Sequence, residues 1–503
     1  VPGLNEWISP SIINKYAWPT WVEALQDSHL PKNINQINSD SINRLRLAYD
    51  ELLAHQLTLA IARENYRKSK GIKNIGNGIL SSKVIKLLPF DLTNAQIRVI
   101  DEIRDDMSQP FRMNRLLQGD VGSGKTLIAF LCMLSAIEAG GQAVIMAPTE
   151  ILTKQHEDTL KPLAAKAGII LESLSGRDKG KERKFKIEAI AAGKIQIIIG
   201  THAVFQESIK YNDLRLAIID EQHRFGVRQR MDLGNKGNAV DILVMTATPI
   251  PRSLALTNYG DMELSELDEK PIGRKPINTV MVSSLRIIEV IERLKAAIKT
   301  GNQIYWVCPL VEDSEFLELT SAEDRANKLS KVLGRDNVGL VHGKMPAEEK
   351  DKVMLDFINN KIKILVATTV IEVGVDVPNA TIIVIEHSER FGLSQLHQLR
   401  GRVGKTAKKR LEAIRETNDG FKIANVDLKL RGAGDVLGVA QSGLPKFRIA
   451  DIEVHSNLME LAKDEARLIM AKDPTLMSPQ GNALRNLLYI MGADEYIKLL
   501  SIG

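Results

Sequence analysis

The sequence predicts an α/β protein: two parallel-sheet domains in tandem, with helical extensions at both ends. Three observations predict it. A chain of 503 residues is too long for one core, since cores stop growing near ~250–300 residues. Short β-branched apolar runs alternate with helical patterns, and this happens twice. Between the two sets lies DEKPIGRKP at residues 268–276, where charge, Pro and Gly together mark a linker.

The elements follow in chain order. Trp7, Trp18 and Trp21 cluster with Pro10 and Pro19, and residues 41–67 then place Leu45, Leu52, Leu53, Leu57 and Ile61 at near-helical spacing. One long amphipathic helix is expected there, with Ser39 or Asp40 as its N-cap. Residues 70–83, rich in Gly and Lys, read as a connector. From Phe90 the strand runs are 143–147, 195–199, 216–219 and 242–245. The second set is 304–309, 338–341, 362–366 and 381–385. From about Lys408 the pattern is helical, broken by the Gly-rich residues 431–443. The expected division is residues 1–85, 86–268, 277–405 and 406–503.

Composition narrows the class without naming a function. Hydrophobic residues at 44% and charged residues at 26% exclude a disordered chain. No stretch approaches the ~18 uninterrupted apolar residues of a membrane span, and the first residues show no secretory pattern. Two cysteines, Cys132 and Cys308, cannot build a disulfide framework or a zinc site alone, which fits a reducing cytoplasm. A net charge of +5 is mild, and aromatics at 5% argue against a binder built from stacking platforms.

The chemistry is carried by short motifs. Gly119-Asp120-Val121-Gly122-Ser123-Gly124-Lys125-Thr126 follows the apolar Leu116-Leu117 and opens into a helical pattern. This strand–loop–helix context is what a phosphate-binding loop requires. Its glycines let successive N–H groups face the phosphates, Lys125 neutralises the β- and γ-phosphates, and Thr126 ligates Mg²⁺. The run 216–219 ends in Asp220-Glu221-Gln222-His223. Acidic groups closing a buried strand are costly unless they meet a cation or a polar ligand. Asp220 is expected to hold Mg²⁺, directly or through water, and Glu221 to orient and deprotonate the attacking water. Read alone, the same pair could be a strand end entering a solvated turn.

With GDVGSGKT and DEQH in place, the chain resembles the superfamily-2 helicases and translocases, whose fold is two RecA-like domains. Other segments fall in the order that resemblance implies. FDLTNAQ at 90–96 is similar to the adenine-reading segment, with Gln96 on the base edge. APTE at 147–150 and GTH at 200–202 resemble loops gripping a nucleic-acid backbone, through Thr149, Thr201 and His202. TAT at 246–248 resembles the segment coupling hydrolysis to DNA movement. His342-Gly343 is similar to another backbone contact, and ATTVIEVGVD at 367–376 to a segment touching DNA and nucleotide, with Thr369 and Asp376 as its positions. QLRGRVG at 398–404 resembles the arginine-finger motif, which makes Arg402 catalytic beside Lys125, Glu221 and Gln222. Singly, TAT or GTH is weak; their joint order is specific.

The finer resemblance is to the RecG family of bacterial branched-DNA helicases. It is carried by DEQHRFGV at 220–227, by RETNDGF at 415–421, and by LRGAGDVLG at 430–438 running into Gln441-Ser442-Gly443. The last two resemble the hairpin and loop that convert motor closure into duplex translocation, with Arg431 and Gln441 as functional positions. The resemblance implies an ATP- and Mg²⁺-dependent motor on branched and double-stranded DNA, monomeric, in the bacterial cytoplasm at the nucleoid, touching single-strand-binding protein. Two departures stand. Nothing here resembles the family's β-rich wedge domain, so a piece of a longer protein is expected. After GRVG the family has an arginine and a strand, whereas Lys405 opens a helical run, so a segment is expected to be missing between Gly404 and Lys405. Among rivals, a transcription-repair coupling factor shares the translocation element but would need an RNA-polymerase-binding domain upstream, and DEQHRFGV favours the RecG family. A DEAD-box RNA helicase lacks residues 431–443, and a metabolic P-loop kinase needs only one α/β unit. A DNA scaffold with a vestigial site would be expected to have lost Lys125 or Glu221.

Overall fold

The computed structural model describes residues 4–68, 71–176, 178, 180–206, 208–220, 239–247, 262–269, 278–309, 315–368, 377, 379–391, 396, 399, 423, 447–451 and 454–493. Three bodies are built from them: two parallel-sheet lobes and a helical body made from both ends of the chain.

The helical body begins with α1 (Pro10–Tyr16), α2 (Trp21–His29) and α3 (Ile42–Lys68). Thr20 and Glu23 form a reciprocal capping box at the start of α2, which satisfies donors the helix itself leaves open. α3 starts at Ile42, after Ser41, so Ser39 and Asp40 lie in the preceding turn rather than at the cap. Nor is α3 simply amphipathic, because residues 46–54 are buried all round. The reason is long-range. Tyr49, Leu52, Leu53 and Leu57 share one core with Trp7 and Trp18 and with Leu458, Ala462, Leu484 and Leu487 near the other end of the chain.

Burial on that scale traps charge. Arg46 Nε donates to Asp50 at 2.9 Å, with neither side chain exposed, and its Nη1 and Nη2 fork onto Glu6 at 3.0 and 2.9 Å. Trp7 Nε1 donates to Asp50 at 2.7 Å. Burial nonetheless pushes the Asp50 carboxyl up to about 6, against the pull of Arg46. At its far end α3 reaches the first lobe, where Arg63 pairs with Glu263 at 3.3 Å.

The first lobe carries α4 (Ile79–Ile85), α5 (Asn94–Met107), α6 (Lys125–Glu138), α7 (Glu150–Ala167) and α8 (Gly180–Ala191). Its strands are β1 (Asn114–Gly119), β2 (Gln142–Met146), β3 (Leu171–Leu174), β4 (Ile197–Gly200), β5 (Leu214–Ile219), β6 (Asp241–Thr246) and β7 (Glu263–Leu267). All seven pair in parallel, in the order β3-β4-β2-β5-β6-β1-β7. A parallel sheet is covered on both faces, and two apolar clusters lie on either side of it. The expected connector is a strap laid along this lobe. Gly71 and Asn74 donate their backbone N–H groups to Pro110 and Met107, and Glu138 accepts from the N–H groups of Gly78 and Leu80.

The second lobe has α9 (Ile287–Lys299), α10 (Glu315–Leu333) and α11 (Ala347–Ile358) around β8 (Gln303–Val307), β9 (Val338–Val341), β10 (Ile364–Ala367) and β11 (Ala380–Ile385). The strands are parallel in the order β11-β8-β10-β9. Between the lobes, the first linker residues dock onto α5: Asp268 pairs with Arg98 at 2.8 Å, and Glu269 accepts from the Ala95 N–H at 3.0 Å. The chain closes with α12 (Ser456–Lys472) and α13 (Pro479–Ile490), which complete the helical body. Among the described residues no helix is long and apolar enough to cross a membrane.

Candidate nucleotide and nucleic-acid site

In a parallel sheet, ligands bind beyond the carboxyl ends of the strands. β1 delivers Gly119 to that rim, and the loop 120–124 turns the chain into α6. Gly122 and Gly124 take φ of 76° and 94°, a region that side chains resist. Gly124 is doubly constrained, because a Cβ there would meet Gln96 Nε2 at 2.4 Å. Lys125 opens α6 and folds back over the loop, donating from Nζ to the carbonyls of Gly119 at 2.7 Å and Asp120 at 2.9 Å. Thr126 follows, half-buried, in the first turn. Ser123 Oγ is buried with no hydrogen-bond partner. A cradle of backbone donors, a helix N-terminus and an orphaned hydroxyl is what a bound polyphosphate would complete.

Gln96 is placed against this loop from α5. Its Oε1 accepts from the Thr93 N–H at 3.0 Å in a capping box, and its Nε2 donates to the Ser123 carbonyl at 2.9 Å. Asp220 follows β5, two strand positions from β1, or about 10 Å at the usual spacing. Its backbone N–H donates to Met146 and its Oδ2 accepts from His156 Nε2 at 2.9 Å. His156 was not among the expected site residues. The signal available was its spacing from Thr149, which puts both on one face of a helix two turns apart.

The other half of the rim, beyond β2, β4 and β3, gathers the expected backbone-gripping residues. Thr149 caps α7 by accepting from the Leu152 N–H at 3.3 Å. Glu150 Oε1 accepts from the Gly176 N–H at 3.1 Å and the Thr201 hydroxyl at 3.5 Å, and an exposed His202 follows. On the second lobe, His342 follows β9 and Thr368 follows the adjacent β10. His342 Nδ1 and Thr368 Oγ1 are both buried without partners. Glu221, Gln222, Thr369, Asp376, Arg402, Arg431 and Gln441 lie outside the described residues.

The match to known families follows the same division. Residues 93–257 match the DEAD/DEAH box helicase model, residues 287–407 the helicase conserved C-terminal domain, and residues 417–493 the C-terminal part of domain 3 of ATP-dependent DNA helicase RecG. The ATP-dependent DNA helicase RecG of Bacillus subtilis (strain 168) is 45% identical over 99% of this chain and 75% of its own length. The chain belongs to the RecG family.

That RecG alignment runs over 515 positions, more than the 503 residues here, so the relative carries residues with no counterpart in this chain. The RecG of Escherichia coli (strain K12) is 46% identical over 86% of this chain and 66% of its own length. The structure of RecG bound to a three-way DNA junction matches with a TM-score of 0.73 at 42% identity, covering 91% of this chain and 62% of that one. The chain thus spans between about three-fifths and three-quarters of the RecG proteins it matches. The DEAD-box helicase Mss116, at 17% identity and a TM-score of 0.51, shares the fold. Every RecG site residue expected from sequence but outside the described residues falls within a matched range.

Proposed function

We propose that this chain is the motor of a RecG-type helicase, an ATP-driven double-stranded DNA translocase that remodels branched DNA in the bacterial cytoplasm. The observation that carries the reading is one rim holding two kinds of group. The phosphate loop and Asp220 stand on one half of it, and the Thr149–Glu150–Thr201 cluster stands on the other.

ATP binds with its phosphates in the loop 119–126, where Lys125 exchanges loop carbonyls for phosphate oxygens and Ser123 gains a partner. The Thr126 hydroxyl and the Asp220 carboxylate, directly or through water, would hold Mg²⁺, which when bound supplies charge neutralisation at the transferring phosphoryl group. Glu221 orients the attacking water and takes its proton, with Gln222 beside it. Arg402, carried by the second lobe with Asp376, stabilises the charge of the transition state from across the cleft. ATP therefore draws the lobes together and hydrolysis releases them. Thr149, Thr201 and His202 on one lobe and Thr369 on the other hold the DNA backbone, so each closure advances the duplex. Arg431 and Gln441 pass that movement on. Backbone contacts make the grip largely sequence-independent and salt-sensitive. The motor acts as a monomer, with single-strand-binding protein as a candidate partner.

Lys125→Ala tests the reading. ATP hydrolysis should vanish while binding to forked DNA persists. Unchanged turnover would refute the phosphate-loop assignment, and ATPase no more active with forked than with single-stranded DNA would refute the substrate class.

A further inference from the structure

His156 belongs to none of the motifs, yet it touches the carboxylate assigned to the metal. It lies on the buried face of α7, with Thr153 and Leu160 one turn to either side, and its side chain is 9% exposed. A carboxylate only accepts, so the 2.9 Å contact with Asp220 Oδ2 is a donation from Nε2–H. A carboxylate without a partner is free to turn about its last bond; a buried, directed N–H restrains that angle. The helix that carries the ring is itself held against the neighbouring strand β3, where Glu157 accepts from the Ser173 hydroxyl and Lys161 donates to Glu172, each at 3.0 Å. The same helix begins in the Thr149–Glu150–Thr201 cluster. Thr149 and His156 are two turns apart on one face, about 10 Å along the axis.

We propose that His156 is a positioning residue for the ATPase: from a helix whose first turn meets DNA, it holds Asp220 in the orientation the metal requires. DNA engagement and metal affinity are thereby linked through one rigid element. The inference rests on the reading of Asp220 as the metal carboxylate.

The test is a Mg²⁺ titration of the binding of a fluorescent, non-hydrolysable ATP analogue to the full chain, with and without forked DNA. His156→Leu, which fills the space but has no donor, should raise the half-saturating Mg²⁺ about tenfold or more and leave Mg²⁺-free binding unchanged. His156→Gln places an amide N–H at the reach of Nε2 and should recover most of the loss. Forked DNA should shift the wild-type midpoint and not that of the leucine variant. Wild-type Mg²⁺ dependence in the leucine variant overturns the proposal, as does a glutamine variant no better than leucine, or an equal DNA shift in both. If the leucine variant does not fold, His156→Asn, whose amide stops one bond short, replaces it; equal behaviour of Asn and Gln then overturns the proposal. Lys125→Ala runs in parallel: if it binds and hydrolyses like the wild type, the assignment of the nucleotide site fails, not the role of His156.

Discussion

Asp241→Asn offers a test whose size follows from the structure. Asp241 opens β6 with 1% exposure, accepting from the Met113 N–H and from Asn74 Nδ2, each at 2.7 Å. Burial pushes its carboxyl up to about 7, outweighing those two donors, which favour the charged form. In the unfolded chain the group titrates near its ordinary 3.8. A raised acid pKa means the folded state keeps a proton that the unfolded state has lost, so stability is full below the unfolded value and falls as pH rises through 7. From pH 5 to pH 8 the loss is two units at ~1.4 kcal/mol each, or about 3 kcal/mol. Asparagine keeps the shape and cannot ionise. Its Oδ1 still accepts from Met113, and its new N–H groups face Asn74, whose own Oδ1 is buried without a partner and can turn to receive one. Urea unfolding of both proteins at pH 5, 6, 7 and 8 isolates this group, because every other titration cancels in the difference. The variant should gain about 3 kcal/mol on the wild type across that range. Parallel pH profiles with a constant offset would show that the carboxyl is not protonated in the fold.

Three further outcomes bear on the motor. Arg402→Ala should lower the maximal ATPase rate by roughly a thousandfold or more while nucleotide affinity changes little, since a finger acts in the transition state; an equal effect on both would remove it from that role. Gln441→Ala should keep ATPase and lose fork unwinding, measured side by side on one fork; loss of both, or of neither, argues against transmission. Glu51 on α3 accepts from three successive backbone N–H groups, those of Arg448, Ile449 and Ala450, at 2.6, 2.9 and 2.8 Å. An amide has one acceptor oxygen, so Glu51→Gln should cost about 2–4 kcal/mol in urea unfolding, and a change below ~0.5 kcal/mol would mean the three bonds carry no net weight.

What the sequence could announce depended on where each segment ended up. β2, β4, β5 and β6 lie inside the sheet, buried on both faces, and read as unbroken apolar runs. β3 and β7 are the two edges, LESL and ELSEL, with polar residues at every other place or more, and no run marked them. The phosphate loop was legible because its geometry is local: glycines at fixed offsets between a strand and a helix. His156 was not, because its importance comes from Asp220, 64 positions away. The same limit explains α3. Arg46 and Asp50 look like a solvated i,i+4 pair and are buried, since Glu6, Trp7 and the Pro19 carbonyl close over them, while the apolar side chains of α3 pack on helices from the opposite end of the chain.

That closure of the two ends bears on how force can travel. A motor that drags a duplex needs a path stiffer than the segment it drives. α3 is 27 residues long, about 40 Å, and its middle, residues 46–54, is buried on all sides. At one end it holds the first lobe through Arg63 and Glu263. Along its middle, Glu51 grips residues 448–450, the first described stretch after the Arg431 and Gln441 positions, and His455 donates to the Ser39 carbonyl just ahead of the helix. Asp451 donates its backbone N–H to Nδ1 of that His455, so the ring is held as the Nε2–H tautomer and locked to both segments. The chain that leaves the second lobe is thus tied to a helix already fixed to the first. Movement of one lobe against the other works against these anchors, and a carboxylate bound by three amides does not yield first.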